Sequence, residues 1–291
     1  MASYDRTVED VGNIVILEHV NVRIPDQRLA TLFYVSGLGL TRDPYLMTGV
    51  DNMWVNVGRS QFHLPTGKPQ VVRGHTALVV ADRDVLIRRL NAVRKPLEET
   101  RFTFSEHNQY VEAICPWGNR IRCFAPGERF GSMSLGIPYV EFDAPSGTAD
   151  GIARFYETML GTVATVAEDD RGRHARVSVG VGQDLVFRET DAASPSFDGH
   201  HIAIYLADFS GPHRFLLERG LITEESDQHQ YRFQDIVDPE SGKPLFTVEH
   251  EVRSMRHPLY ARPLVNRNPA QSNRHFAPGY QDQSWSLPLP G

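Results

Sequence analysis

Hydrophobic and polar positions alternate along this chain in short runs, and each run is followed by a longer segment whose apolar residues recur every three or four places. Alternation with period two marks a half-buried strand, and the longer period marks an amphipathic helix. The pattern occurs four times. HVNVRIPD (19–26), HTALVVAD (75–82) and HIAIYLAD (201–208) each open on His and close on Asp, while YVEFDAPS (139–146) keeps the shape with Tyr139 in the His position. The helix-like segments QRLATLFYVSGLG, DVLIRRLNAVRK, TADGIARFYETMLG and SGPHRFLLERG come next, and the polar residue at each strand's end can cap the helix. Short strand candidates separated by turn residues complete each unit, as in MWVNVGRSQFHLPTG and HARVSVGVGQDLVFRETD.

The repeating unit is therefore strand, helix, three strands, and FYxxxLG at Phe33–Gly39 and again at Phe155–Gly161 marks duplication of a whole domain. This predicts an α+β fold of four βαβββ modules paired into two domains, over 13–126 and 135–253, with the Gly- and Ser-containing segment PGERFGSMSLG between them. A Pro/Arg-rich C-terminal arm, 254–291, follows, in which Asp282 is the only acid. Such a tail is expected to pack on its own body or on a second subunit, and its first part is a candidate cover for an active cleft. An exchanged-arm homodimer is compatible with it.

Composition narrows the functional classes. With 291 residues and 41% hydrophobic content the chain can bury a full core. A net charge of -6 gives no electrostatic reason to expect nucleic acid or an anionic membrane as partner, and no stretch approaches the roughly 20 apolar residues of a membrane span. The N-terminus is too polar for a signal peptide, so a cytoplasmic protein is expected. Cys115 and Cys123 flank a turn and are read as free thiols, with a hairpin disulfide as the alternative.

Strand parity locates the chemistry, because alternate side chains share a face. His19, Asn21 and Arg23 lie on one side of the first strand and Val20, Val22 and Ile24 on the other. The apolar side must pack under the helix, so His19 faces the concavity of the sheet. His75 and His201 occupy the matching positions, and Tyr139 with Glu141 those of the third module. On the last strands, parity places His63, Arg122, Glu249 and Glu251 on the polar side. A single strand His is more often hydrogen-bonded structure than a ligand, but His residues at corresponding repeat positions are harder to dismiss. For His201 and Glu249 the bland alternative is a buried ion pair, for Glu251 a salt bridge, and for Trp54 packing.

The four-module pattern, the FYxxxLG helix, and the turns CPWGN and DPESG before a final strand resemble the vicinal oxygen chelate superfamily, which includes glyoxalase I and the extradiol ring-cleaving dioxygenases. The resemblance covers roughly residues 13–253 and implies divalent-metal ligands on the first and last strands of paired modules. It offers His19, His63 and His75 in the first domain. Arg122 stands where the fourth ligand is usually Glu; a guanidinium cannot ligate, but it can bind an anionic substrate oxygen. His107 and Tyr110 lie where extradiol dioxygenases carry acid-base residues. The second domain offers His201 and Glu249, with Glu141 as the substitute for a missing first-strand His, and His229 and Tyr231 nearby as catalytic candidates. The implied cofactor is a divalent metal, Fe(II) favoured, with Zn, Mn or Ni as alternatives. The implied activity is extradiol dioxygenase-like action on a small oxygen-chelating substrate. A glyoxalase-type lyase or isomerase and a non-catalytic small-molecule binding or resistance protein are the alternatives. Which domain is active stays open at this point.

Overall fold

The computed structural model describes residues 4–47, 49–193, 195–268 and 271–276. Each sequence repeat folds as anticipated, into a strand, a helix and three strands. The first contains β1 (Ile14–Asn21), α1 (Gln27–Ala30) continued as a π-helix over Thr31–Gly37, β2 (Thr41–Arg42), β3 (Asn52–Val57) and β4 (Ser60–Pro65). The second contains β5 (Gly74–Val79), α2 (Arg83–Ala92), β6 (Thr103–Glu106), β7 (Tyr110–Ile114) and β8 (Arg120–Phe124). The third contains β9 (Tyr139–Pro145), α3 (Ala149–Leu160), β10 (Ala164–Asp169), β11 (Gly172–Ser178) and β12 (Asp184–Thr190). The fourth contains β13 (His201–Leu206), α4 (Ser210–Glu218), β14 (Ile222–Asp227), β15 (Gln230–Val237) and β16 (Pro244–Ser254).

The strands form two eight-stranded mixed sheets, ordered β14-β15-β16-β13-β1-β4-β3-β2 and β10-β11-β12-β9-β5-β8-β7-β6. Strands of the first and fourth modules thus share one sheet, and those of the second and third share the other. Within a module the first strand pairs in parallel with the last, as in β1 with β4 and β5 with β8, while the short connections make the remaining pairs antiparallel.

The described residues fall into two compact units. One comprises 18–47, 49–141, 195–202, 259–268 and 271–276. Here Asp26 and Asp82, the residues that close the alternating runs, cap α1 and α2 by accepting from the backbone N–H of Leu29 and Val85. Phe33 and Tyr34 on the π-helix and Phe62 on β4 are fully buried, each worth about 1.5–3 kcal/mol of transfer free energy. Gly58 turns β3 into β4 with φ +65°, and a Cβ there would meet the Leu135 carbonyl oxygen at 2.0 Å, so no other residue fits. The buried thiols of Cys115 and Cys123 are free.

The arm enters this unit. Asn56 donates to the Val265 carbonyl (2.9 Å), and Asn266 exchanges hydrogen bonds with the backbone N–H (3.0 Å) and carbonyl (2.9 Å) of Gly58. Arg262 donates to Asp43 (2.8 Å) and Gln61 (3.2 Å), so residues 262–267 are stitched to β2, β3 and β4. Residues 269–270 and 277–291 of the arm lie outside the described residues.

The other unit comprises 4–17, 142–193 and 203–258. α3 buries Ile152, Phe155, Tyr156 and Met159 against its strands, and Gly161 ends it in the left-handed conformation at φ 66°. The Tyr156 hydroxyl donates to Nε2 of the fully buried His250 (2.6 Å), whose ring stacks on Phe233 at 4.2 Å.

A three-histidine candidate metal centre

β1 and β13 bring His19 and His201 together, and β4 adds His63. One ligand atom from each lies within 4.8 Å of the other two. The Nε2 atoms of His19 and His201 are 3.4 Å apart. Two nitrogens bound to one tetrahedral ion at about 2.0–2.1 Å would be separated by roughly 3.3–3.4 Å, so this spacing fits a shared cation. His19 and His201 are buried and His63 is half-buried.

Neighbours fix the tautomers. The Glu18 carboxylate, an acceptor, lies 2.8 Å from Nδ1 of His19, which places the proton there and the lone pair on Nε2, facing His201. Asn52 Oδ1 lies 2.8 Å from Nε2 of His63, so that nitrogen donates and Nδ1 carries the lone pair. Trp54 stacks on the His63 ring at 3.8 Å and 11°, and meets His19 edge-on at 4.9 Å. The imidazole set is thus locked by packing as well as by hydrogen bonds.

Register extends this face. In the parallel β1–β4 pair His19 stands opposite Gln61 and Asn21 opposite His63, and in β3–β4 Trp54 stands opposite His63. Register partners point to the same side of a sheet, so His19, Asn21, Trp54, Gln61 and His63 share it. Asn21 is buried and its Oδ1 has no hydrogen-bond partner among the described residues. An unsatisfied buried acceptor beside three imidazoles marks a place for a ligand. Borderline nitrogen donors with a buried polar surround suit Zn, Fe, Mn or Ni, and the residues present therefore fit a divalent ion.

Asp43, which accepts a hydrogen bond from Gln61 of the same face (3.1 Å), is fully buried. Burial pushes its carboxyl pKa up, but hydrogen bonds from Arg262 and from the backbone N–H groups of Leu46 and Tyr45 outweigh this and leave it below the ordinary value.

The remaining candidates stand elsewhere. His75 is on β5 in the other sheet, with its Nδ1 3.7 Å from Glu141 and its Nε2 3.4 Å from the Tyr139 hydroxyl. It does not join His19 and His63 as the first-domain ligand set required, because β5 pairs with β8 rather than with a strand of the first module. Arg122 is ion-paired to Glu112 (2.9 Å) and lies over the Tyr110 ring, on which His107 stacks at 4.6 Å. His107 also meets the Ser105 hydroxyl at 3.0 Å on an exposed edge.

In the other unit, Glu249 is held by Arg232 (2.5 Å) and Gln234 (3.0 Å), and Glu251 by Arg232 and Arg253. Tyr231 points the opposite way, under α4, with its buried ring against Phe209 and His213. His229 sits at the exposed β14–β15 turn and lends its backbone N–H to Asp227 (2.6 Å). Arg232, Glu18, Asn52 and Arg262 are not among the residues expected from the sequence. Parity could have flagged Arg232, since it alternates with the apolar Tyr231 and Phe233; nothing in the local pattern identifies Arg262.

The chain is similar to a protein from Bacillus subtilis subsp. subtilis str. 168 provisionally named a dioxygenase, at 16% identity over 94% of this chain and 89% of that one, with a TM-score of 0.54. It is also similar to glyoxalase I from Zea mays, at 12% identity over 84% of this chain and 93% of that one, with a TM-score of 0.57. No protein-family model and no curated sequence relative matches. The chain has the two-domain glyoxalase/extradiol dioxygenase-like fold. Among the described residues no helix is long and apolar enough to cross a membrane.

Proposed function

We propose that His19, His63 and His201 hold a divalent cation and that the protein is a metal-dependent enzyme acting on a small substrate that chelates the ion through two adjacent oxygens. The observation that carries this reading is the convergence of three imidazole nitrogens within 4.8 Å. A bound divalent ion supplies positive charge that stabilises a catecholate or enolate and lowers the pKa of a coordinated hydroxyl. Glu18 and Asn52 hold the ligand tautomers, Trp54 keeps water from one side of His63, and Asn21 presents an acceptor to the substrate.

Ring-cleaving dioxygenase chemistry with Fe(II) is the leading activity, with Mn as an alternative ion. A glyoxalase-type lyase or isomerase is the second reading, favoured by the likeness to maize glyoxalase I and by an all-imidazole set that equally suits catalytic zinc or nickel.

Metal analysis of the reconstituted protein is the test. Near-stoichiometric Fe with oxygen uptake on catechols supports the dioxygenase; Zn or Ni without oxygen uptake supports the lyase. His201→Ala is expected to empty the site and His75→Ala to leave it filled. Failure of the wild-type protein to retain any divalent metal overturns the proposal.

A further inference from the structure

We infer that the three-histidine site takes a substrate bearing a carboxylate in addition to its chelating oxygens, and that Arg262 of the C-terminal arm binds that carboxylate. This deepens the proposed chelate chemistry and rests on it.

Arg262 is anchored by one nitrogen alone. Its Nη2 donates to Asp43 Oδ2 at 2.8 Å and to Gln61 Oε1 at 3.2 Å. Gln61 is the register partner of His19 on the adjacent strand, so the guanidinium is tethered to the imidazole-bearing face. The Nε and Nη1 atoms are buried and have no hydrogen-bond partner among the described residues. Buried donors left unmatched are costly, and a planar guanidinium suits carboxylate recognition. The fully buried Asp43 is itself fixed by the backbone N–H groups of Tyr45 and Leu46, and by Gln61, which also donates to Asn56. The anchor is therefore rigid, and the guanidinium keeps its orientation whether or not an anion is present.

Asn21 completes the argument from the opposite polarity. Its orphaned Oδ1 is an acceptor on the same face, across the β1–β4 pair from His63. Unmatched donors on Arg262 and an unmatched acceptor on Asn21 complement one molecule that carries both a carboxylate and a hydroxyl. A plain hydrocarbon catechol satisfies neither the donors nor the anchored charge.

Calorimetric titration of the Zn(II)-loaded full-length protein without oxygen tests this, since binding is then read without turnover. Catechol is compared with 3,4-dihydroxybenzoate and 3,4-dihydroxyphenylacetate, which place the carboxylate at two reaches. At least one carboxylated probe is expected to bind about tenfold or more tighter than catechol. Arg262→Lys preserves a cation for Asp43 but removes the two free donors, and is expected to abolish that preference while metal content and catechol affinity hold. Equal binding of all three probes to the wild type, or an undiminished preference in Arg262→Lys, overturns the carboxylate inference and leaves the chelation reading standing. If none of the three binds protein shown to carry stoichiometric zinc, the chelation reading falls and this inference falls with it.

Discussion

In the proposed metal centre the imidazole of His19 would owe its orientation to the residue before it. Glu18 holds the Nδ1 proton, and Glu18→Gln is expected to weaken metal affinity by about 10–100-fold without unfolding the protein, as read by competition against a chromogenic chelator. His250 illustrates the other fate of a strand histidine. Burial depresses its pKa to about 3 against the ordinary 6.5, although the Val248 carbonyl on Nδ1 pulls upward. Above about 6.5 neither the folded nor the unfolded chain protonates it. Between about 6.5 and 3 only the unfolded chain does, so its effect grows more destabilising as pH falls, by about 1.4 kcal/mol per unit. Urea unfolding of the wild type and His250→Gln at pH 7.5 and 5.5 should show the wild type losing ground to the variant at the lower pH. Cys123, whose thiol burial pushes up to about 12, and the equally buried Cys115 should resist a thiol reagent at pH 8 until the protein is denatured. Parity in the sequence made His19, His63 and His201 legible as a polar-face set. It could not distinguish their company from that of His75, because the choice between sheets is made by strand neighbours far away in the chain.

At the scale of elements, alternation and helical spacing foretold every module, since apolar stripes on strands and helices have no other way to be buried. What they missed was local geometry set by tertiary contact. FYxxxLG builds a regular α-helix ending at Gly161 in the third module, but in the first it widens to a π-helix, with Leu38 N–H bonded to the Phe33 carbonyl at 2.8 Å. Gly37 there lies against Val93 and Leu90, neighbours that follow from the fold and not from the motif. The caps of α1 and α2 were legible, whereas in the third module Ser146, which closes the run, donates to Asp191 and α3 has no side-chain cap. Asp82 accepts from Val85 N–H at 2.9 Å, and Asp82→Ala should cost about 1 kcal/mol, seen as a lowered urea midpoint. The arm was legible only as an extended, Pro-rich tail. Its attachment depends on Asn56, Gly58 and Asp43, which carry no pattern that would announce a partner two hundred residues on. Ending the chain after Pro258 strands those buried groups, and is expected to destabilise the unit containing β2–β4 by several hydrogen bonds' worth, on the order of 1–3 kcal/mol each.

For the molecule as a whole, internal repetition carried the α+β architecture, and the sheet orders add that first pairs with fourth and second with third. Sequence order alone favours consecutive modules as partners, because nothing in a repeat encodes which copy its edge will meet. A cation bound only by the folded chain stabilises it by mass action. Zn(II) at about a hundred times its dissociation constant should contribute about 2.7 kcal/mol and raise the calorimetric unfolding temperature of the wild type, but not of His201→Ala.

His19 and His201 are 182 residues apart in sequence, yet their nitrogens face each other across 3.4 Å. During synthesis, then, a nascent polypeptide presents His19 and His63 well before the third imidazole exists. An ion taken up by that early pair at the proposed centre would be held by two ligands and readily surrendered, so a chain terminated before position 201 would lack the third ligand.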